Sequence, residues 1–115
     1  MTTVHYLSDW TTSQSGPIHA GESLEIAYAA ERLPTCRASY RGQDAWNIAA
    51  YVRFHPGGEV VSGAVAKAPL VVDVPEDATR IELWFNNTDN TGCSAWDSRY
   101  GQNYWLDVEP ALVPA

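Results

Sequence analysis

The sequence is dominated by short segments in which apolar and polar residues alternate at every second position. The clearest segment spans residues 46–54, where one face would carry Trp46, Ile48, Ala50, Val52 and Phe54. Similar segments lie at residues 4–10, 23–28, 59–65, 70–74, 81–85 and 104–108. Turn-forming residues separate them, and no segment keeps helical apolar spacing over three turns. The pattern therefore predicts β-strands joined by turns.

Seven or eight short strands in 115 residues predict a single domain that occupies residues 1–115. This number and spacing favour an all-β, antiparallel β-sandwich, immunoglobulin-like or jelly-roll-like, over a barrel. Residues 31–44 show neither the alternation of a strand nor the apolar spacing of a helix, and they contain Pro34, Cys36 and Gly42. We expect a long ordered loop there, and such loops often carry function.

The charge of the chain restricts its partners. Fourteen acidic and seven basic residues give a net charge of −7, which argues against nucleic acid and anionic membranes as ligands. No segment approaches the roughly 20 apolar residues that span a bilayer, and the N-terminus lacks the pattern of a signal peptide. A neutral glycan, a cation or a basic protein partner remains.

Two cysteines, Cys36 and Cys93, are far apart in the sequence. They either form one disulfide bond or remain two buried thiols. A bond would close a loop of about 57 residues and contribute on the order of 3–4 kcal/mol to stability in the chain-entropy model. It would also indicate an oxidising compartment, so we expect a secreted or cell-surface protein.

Several aromatic residues fall on the faces opposite the predicted core. The alternation places Tyr51, Trp84 and Trp105 outward on three separate strands. Exposed rings can stack on the apolar face of a sugar, while Asn and Asp side chains bind its hydroxyl groups. Two alternatives remain open: a loop covers these rings, or one strand is misplaced by a residue.

The turn from Trp96 to Tyr104 is the predicted functional centre, because it combines Gly101 with aromatic and polar side chains. The predicted ligand-binding residues are Trp84, Trp96, Asp97, Tyr100, Asn103, Tyr104 and Trp105. Asp97 has two interpretations. It captures the ligand, or it caps the turn through backbone N–H groups.

A polar segment, residues 86–92, is rich in oxygen ligands of the kind that calcium prefers. The candidate calcium ligands are Asn87, Asp89, Asn90 and Asp97. Ordinary turns use the same residue types. Calcium is therefore a candidate ion, and we expect no required cofactor.

The sequence gives little support for catalysis. His5, His19 and His55 do not have the spacing of a zinc site, and no nucleophile motif is present. Asp97 and Asp107 are a candidate acid–base pair, but an acidic domain offers many such pairs by chance. We therefore expect a non-catalytic, carbohydrate-binding module. A calcium-stabilised structural or protein-interaction domain and a small hydrolase are the alternatives.

Residues 96–105 read Trp-Asp-Ser-Arg-Tyr-Gly-Gln-Asn-Tyr-Trp. This segment resembles the closing motif of starch- and glycogen-binding modules, in which Trp-Asp-Asn-Asn is followed by Gly and then Asn-Tyr. The resemblance implies a β-sandwich and sugar contacts from Trp96, Asp97, Asn103 and Tyr104. Ser98 and Arg99 stand where that motif has its two sugar-contacting amides. The resemblance therefore supports the β-sandwich fold more than it supports starch binding.

A longer pattern combines residues 32–37, Arg-Leu-Pro-Thr-Cys-Arg, with Gly92-Cys93 and residues 97–104. It is similar to a bacterial family of small domains without assigned function. The resemblance implies that both cysteines belong to the family pattern and favours a bond between Cys36 and Cys93. It indicates no ligand.

Overall fold

A computed structural model describes residues 1–112, which form two packed β-sheets and a small hairpin. The strands are β1 (Thr2–Tyr6), β2 (Thr12–Gln14), β3 (Ser23–Tyr28), β4 (Ser39–Tyr40), β5 (Gln43–Asp44), β6 (Trp46–His55), β7 (Val60–Ala64), β8 (Leu70–Asp73), β9 (Arg80–Asp89), β10 (Ser94–Asp97) and β11 (Tyr104–Asp107). A 3-10 turn at Ala30–Arg32 follows β3. Among the described residues, no helix is long and apolar enough to cross a membrane.

The predicted all-β sandwich is confirmed, but the described residues form eleven strands, several of only two to four residues, where the sequence pattern predicts seven or eight. The first sheet has the order β2-β1-β3-β8, and the second has the order β10-β9-β6-β7. Strand β11 pairs with the same edge of β9 as β10 does, β10 with residues 85–88 and β11 with residues 80–83. All strand pairs are antiparallel except β1 and β3, which are parallel. Strand β2 pairs with one edge of β1, so β3 pairs with the other edge.

The core lies between the two sheets, where the alternation predicts it. Ile48, Ala50, Val52 and Phe54 of β6 are buried. The inner faces of the other strands contribute Val4, Tyr6, Leu24, Ile26, Tyr28, Val72, Ile81, Leu83, Phe85 and Leu106. Each large side chain buried in this way stabilises the fold by about 1.5–3 kcal/mol.

Strand β1 is shorter than its sequence pattern predicts. It ends at Tyr6, and residues 7–11 form a tight turn into β2. The N–H of Leu7 donates to the carbonyl of Thr11 (2.9 Å), and the N–H of Trp10 donates to the carbonyl of Leu7 (3.1 Å). The Asp9 side chain accepts hydrogen bonds from the N–H and hydroxyl of Thr11. This Asp-to-Thr turn ends the strand before Trp10.

Strand β9 is longer than its sequence pattern predicts. It continues through Asn86 and Asn87 to Asp89, although this stretch looks like a polar loop. Both amides are buried and hydrogen-bonded. Asn86 donates to the Ser94 hydroxyl, and Asn87 donates to the carbonyls of the loop after β3. Hydrogen bonding thus lets polar side chains occupy buried positions of a strand.

The segment of residues 31–44 is mainly loop, as predicted, but it includes the hairpin of β4 and β5. The disulfide bond between Cys36 and Cys93 is confirmed. It joins this loop to the hairpin of β9 and β10. Arg32 lies four residues before Cys36, and Asp97 lies four residues after Cys93. The bond therefore constrains the two segments that carry these charged residues.

Candidate functional site

The outward aromatic residues of the second sheet do lie on one face, as predicted. Tyr51 of β6 and Trp84 of β9 are opposite each other in register. Their ring planes differ by 6° with centroids 5.7 Å apart, so the two faces stack on each other with an offset. The Arg53 guanidinium lies 5.4 Å from the Trp84 ring. Neighbouring side chains therefore cover part of both rings.

Trp105 is also partly covered by its neighbours. The Arg80 guanidinium lies 4.2 Å from its ring centroid, and the His55 ring lies 5.1 Å away. The Trp105 indole N–H donates to the carbonyl of Gln102 (3.0 Å). Trp105 therefore supports the turn between β10 and β11 and is only 38% exposed.

Glu82 of β9 also holds the turn between β10 and β11 in place, through a hydrogen bond from Asn103. Its carboxylate accepts a hydrogen bond from the Asn103 amide (2.7 Å) and lies 2.9 Å from Nε2 of His55 and 3.6 Å from Arg53. Burial raises the pKa of Glu82, but the hydrogen bonds of Asn103 and His55 and the charge of Arg53 hold it below its usual value. Asn103 is thus engaged in holding the turn.

A cleft of about 650 Å³ opens between the turn at residues 7–11 and the turn at residues 98–103. Its volume is within the range of small-ligand sites. The cleft is lined by Trp10, Trp96, Asp97, Ser98, Arg99, Tyr100, Gln102 and Tyr104. Trp10 is 61% exposed, Trp96 is 58% exposed, and Tyr100 is fully exposed. These three rings form the most accessible aromatic surface around the cleft.

Both turns place large residues in the left-handed backbone region. Trp10 has a φ of 69°, Arg99 of 48° and Tyr100 of 58°. This conformation costs an L-residue roughly 1–2 kcal/mol. The second turn is closed by a hydrogen bond from the Asn103 N–H to the carbonyl of Ser98 (2.6 Å). Such conformations persist where surrounding structure enforces them, and they cluster at binding sites.

A buried arginine lies beneath the cleft. Arg32 is 3% exposed, and its guanidinium donates to the carbonyls of Leu7 (2.7 Å) and Thr11 (2.9 Å). It therefore fixes both ends of the turn that carries Trp10. The guanidinium also contacts the faces of four rings, those of Tyr6, Trp10, Tyr28 and Tyr104, at 5.0–5.8 Å. Contacts of this kind are attractive and become stronger away from water.

Asp97 is the counterion of Arg32. It is 5% exposed, and one oxygen lies 3.5 Å from the guanidinium. The carboxylate accepts hydrogen bonds from the hydroxyls of Tyr28 (2.7 Å) and Tyr104 (2.5 Å). Burial and the bond to Asp97 raise the pKa of Tyr104 to about 12, and the same causes raise the pKa of Tyr28. Both tyrosines therefore stay protonated and donate at neutral pH.

The structure thus divides the predicted binding residues into two groups. Trp96, Asp97, Tyr100 and Tyr104 border the cleft, whereas Trp84, Asn103 and Trp105 lie outside its lining. Asp97 interacts with side chains, not with the backbone N–H groups that a turn cap would use.

Sequence reasoning placed the turn correctly but left Ser98, Arg99 and Gln102 out of the predicted binding residues. It also missed two residues from outside that turn, Trp10 and Arg32. Trp10 was hidden because residues 4–10 resemble one strand, although Asp9 followed by Thr11 is a turn signal. Arg32 lies in a segment without periodicity. Nothing in its local sequence distinguishes a buried arginine from an exposed one.

The two carboxylates among the four candidate calcium ligands are already hydrogen-bonded to other protein groups. Asn87 is buried and donates to a loop carbonyl, and the N–H of Asn90 donates to the carbonyl of Ala45. Asp89 accepts hydrogen bonds from Thr91, which lower the pKa of its carboxyl group. Asp97 pairs with Phe85, which lies four residues before Asp89 on β9. Within residues 1–112, no group of three or more His, Cys, Asp or Glu side chains is arranged to hold a metal.

Fold and cleft together define a small, disulfide-linked β-sandwich domain. The chain belongs to DUF6209, a family of unknown function whose sequence model matches residues 1–109. This finding confirms the similarity to a family of small domains without assigned function. Comparisons with curated proteins and with solved structures gave no match. The resemblance to starch- and glycogen-binding modules stays a resemblance.

Proposed function

We propose that this domain is a non-catalytic module that binds a glycan in the cleft. The observation that supports the proposal best is the exposure of Trp10, Trp96 and Tyr100 around one space of about 650 Å³. Their faces suit the apolar side of a sugar ring. Ser98 and Gln102 also line the cleft, and a hydroxyl and an amide suit the sugar hydroxyl groups.

The chemistry of the cleft favours binding over catalysis. Asp97 is the acidic residue of its lining, and two tyrosines and Arg32 already occupy its carboxylate. A general acid or base must instead be free to exchange a proton with the substrate. Asp107, its candidate partner, lies on the outer face with Trp105, whereas Asp97 faces the core opposite Phe85. These observations argue against the hydrolase alternative.

The proposal requires no metal, and the two candidate carboxylates, Asp89 and Asp97, already accept hydrogen bonds from protein groups. A disulfide bond that constrains the site is favoured in an oxidising compartment. We therefore propose that the domain acts outside the cell or at its surface.

Replacing Trp96 or Trp10 with Ala is expected to weaken glycan binding by about tenfold or more, since each substitution removes a stacking surface. A glycan array identifies the ligand, and isothermal titration calorimetry measures the affinity of each variant. Tyr40→Ala is the matched control, because Tyr40 is also 61% exposed but lies on β4, outside the cleft lining. Unchanged binding by both tryptophan variants would contradict the proposed site.

A further inference from the structure

Arg99 lines the cleft and is exposed. Within residues 1–112, its side chain forms no salt bridge and no hydrogen bond. Its nearest aromatic contact is the Tyr104 ring, 5.9 Å from the guanidinium carbon. The fork of N–H donors of Arg99 is therefore available to a ligand in the cleft.

The cleft lining and Arg32 beneath it together carry two positive charges and one negative charge, although the whole chain carries −7 and Asp9 lies on the neighbouring turn. Arg32 beneath the cleft neutralises Asp97, and Arg99 adds one further positive charge. Two other arginines of the second sheet already have partners. Arg53 forms a salt bridge with Glu82, and Arg80 lies over the ring of Trp105. Charges beyond about 8 Å are largely screened at physiological salt. At contact distance, the charge of the cleft lining that has no counterion is that of Arg99.

The backbone of the turn adds donors of the same kind. Arg99 and Tyr100 are consecutive residues in the left-handed region. Within the described part of the chain, neither backbone N–H has a hydrogen-bond partner. Consecutive N–H groups in turns of this type commonly bind anions.

We propose that the glycan bound in the cleft carries a carboxylate and that Arg99 binds it. This inference rests on the proposed glycan-binding function and replaces the neutral glycan expected from the net charge. A planar guanidinium matches a carboxylate with two parallel hydrogen bonds. The exposed rings of Trp96 and Tyr100 would hold the sugar while Arg99 holds its acidic group. Uronic acids and sialic acids share this chemistry.

The test is a glycan array that contains uronic-acid and sialic-acid oligosaccharides, their carboxyl methyl esters and neutral oligosaccharides. Wild-type protein is compared with Arg99→Gln and with Lys67→Gln. The latter removes the same charge at an exposed site outside the cleft lining. We expect the acid form to bind on the order of tenfold more tightly than its ester. Arg99→Gln should remove this preference, and Lys67→Gln should keep it.

The outcomes separate the two proposals. If acid and ester bind equally well, or if Arg99→Gln keeps the preference, the role of Arg99 is contradicted while glycan binding stands. If no glycan on the array binds, glycan binding and the carboxylate proposal both fail. A preference for either acidic series that disappears in Arg99→Gln supports the inference and identifies which acid is recognised. Circular dichroism of each variant checks that the fold is intact.

Discussion

Replacing Asp97 with Ala is expected to lower the free energy of unfolding by about 3–5 kcal/mol. The substitution leaves the Arg32 guanidinium buried without its counterion and removes the acceptor of the Tyr28 and Tyr104 hydroxyls. Removing one partner of a buried ion pair costs more than the pair contributes, because the remaining charge cannot reach water. Urea unfolding followed by tryptophan fluorescence measures the loss.

Asp107→Ala is the matched control, since Asp107 is an exposed aspartate on β11. We expect its effect to stay within about 0.5 kcal/mol. Asp97→Asn removes the charge of the side chain but keeps its shape, and the amide oxygen still accepts a hydrogen bond from a tyrosine. A loss below about 1 kcal/mol in Asp97→Ala would contradict the ion-pair account. Unchanged glycan binding by a cold, folded Asp97→Ala protein would assign Asp97 a purely structural role.

Replacing both Cys36 and Cys93 with Ser is expected to lower the free energy of unfolding by about 4 kcal/mol. The bond spans 57 residues and restricts the unfolded chain, which is the main source of its stabilising effect. It also ties the loop after Arg32 to the hairpin that leads into Asp97. Loss of the bond therefore loosens both segments that carry the buried ion pair.

Reduction of the wild-type protein with dithiothreitol is the control for this double variant. Reduced wild type and the double variant should unfold at similar urea concentrations, and the reductant should not affect the variant. If the free energy of unfolding of the variant lies within about 1 kcal/mol of that of the oxidised wild type, the disulfide bond has no major stabilising role.

The sandwich was predictable because burial on one face of a strand leaves a period of two in the sequence. Residues 46–54 show this most clearly, since every second side chain from Ile48 to Phe54 is buried. Prediction was less accurate where hydrogen bonds replaced apolar contacts. Asn86 and Asn87 resemble a loop in sequence, yet their side-chain N–H groups donate to partners elsewhere in the fold.

The site was only partly predictable for a related reason. The turn that contains Trp96 and Tyr100 has a dense local signal of aromatic residues and glycine. Arg32 and Trp10 reach the same place from distant parts of the sequence, and their proximity depends on how β1 and β3 pair. Alternation also predicts which face a ring is on, but not that Tyr51 and Trp84 stack on each other.

The most direct test of the proposed site is a nuclear magnetic resonance titration that follows the indole N–H signals of the five tryptophans. The glycan selected on the array is added to the 15N-labelled protein, and single Trp→Phe variants assign the signals. We expect the signals of Trp10 and Trp96 to shift, while those of Trp46 and Trp84 stay in place. Shifts at Trp84 and Trp105 without shifts at Trp10 and Trp96 would contradict binding in the cleft and would place the ligand on the outer face of the sheet.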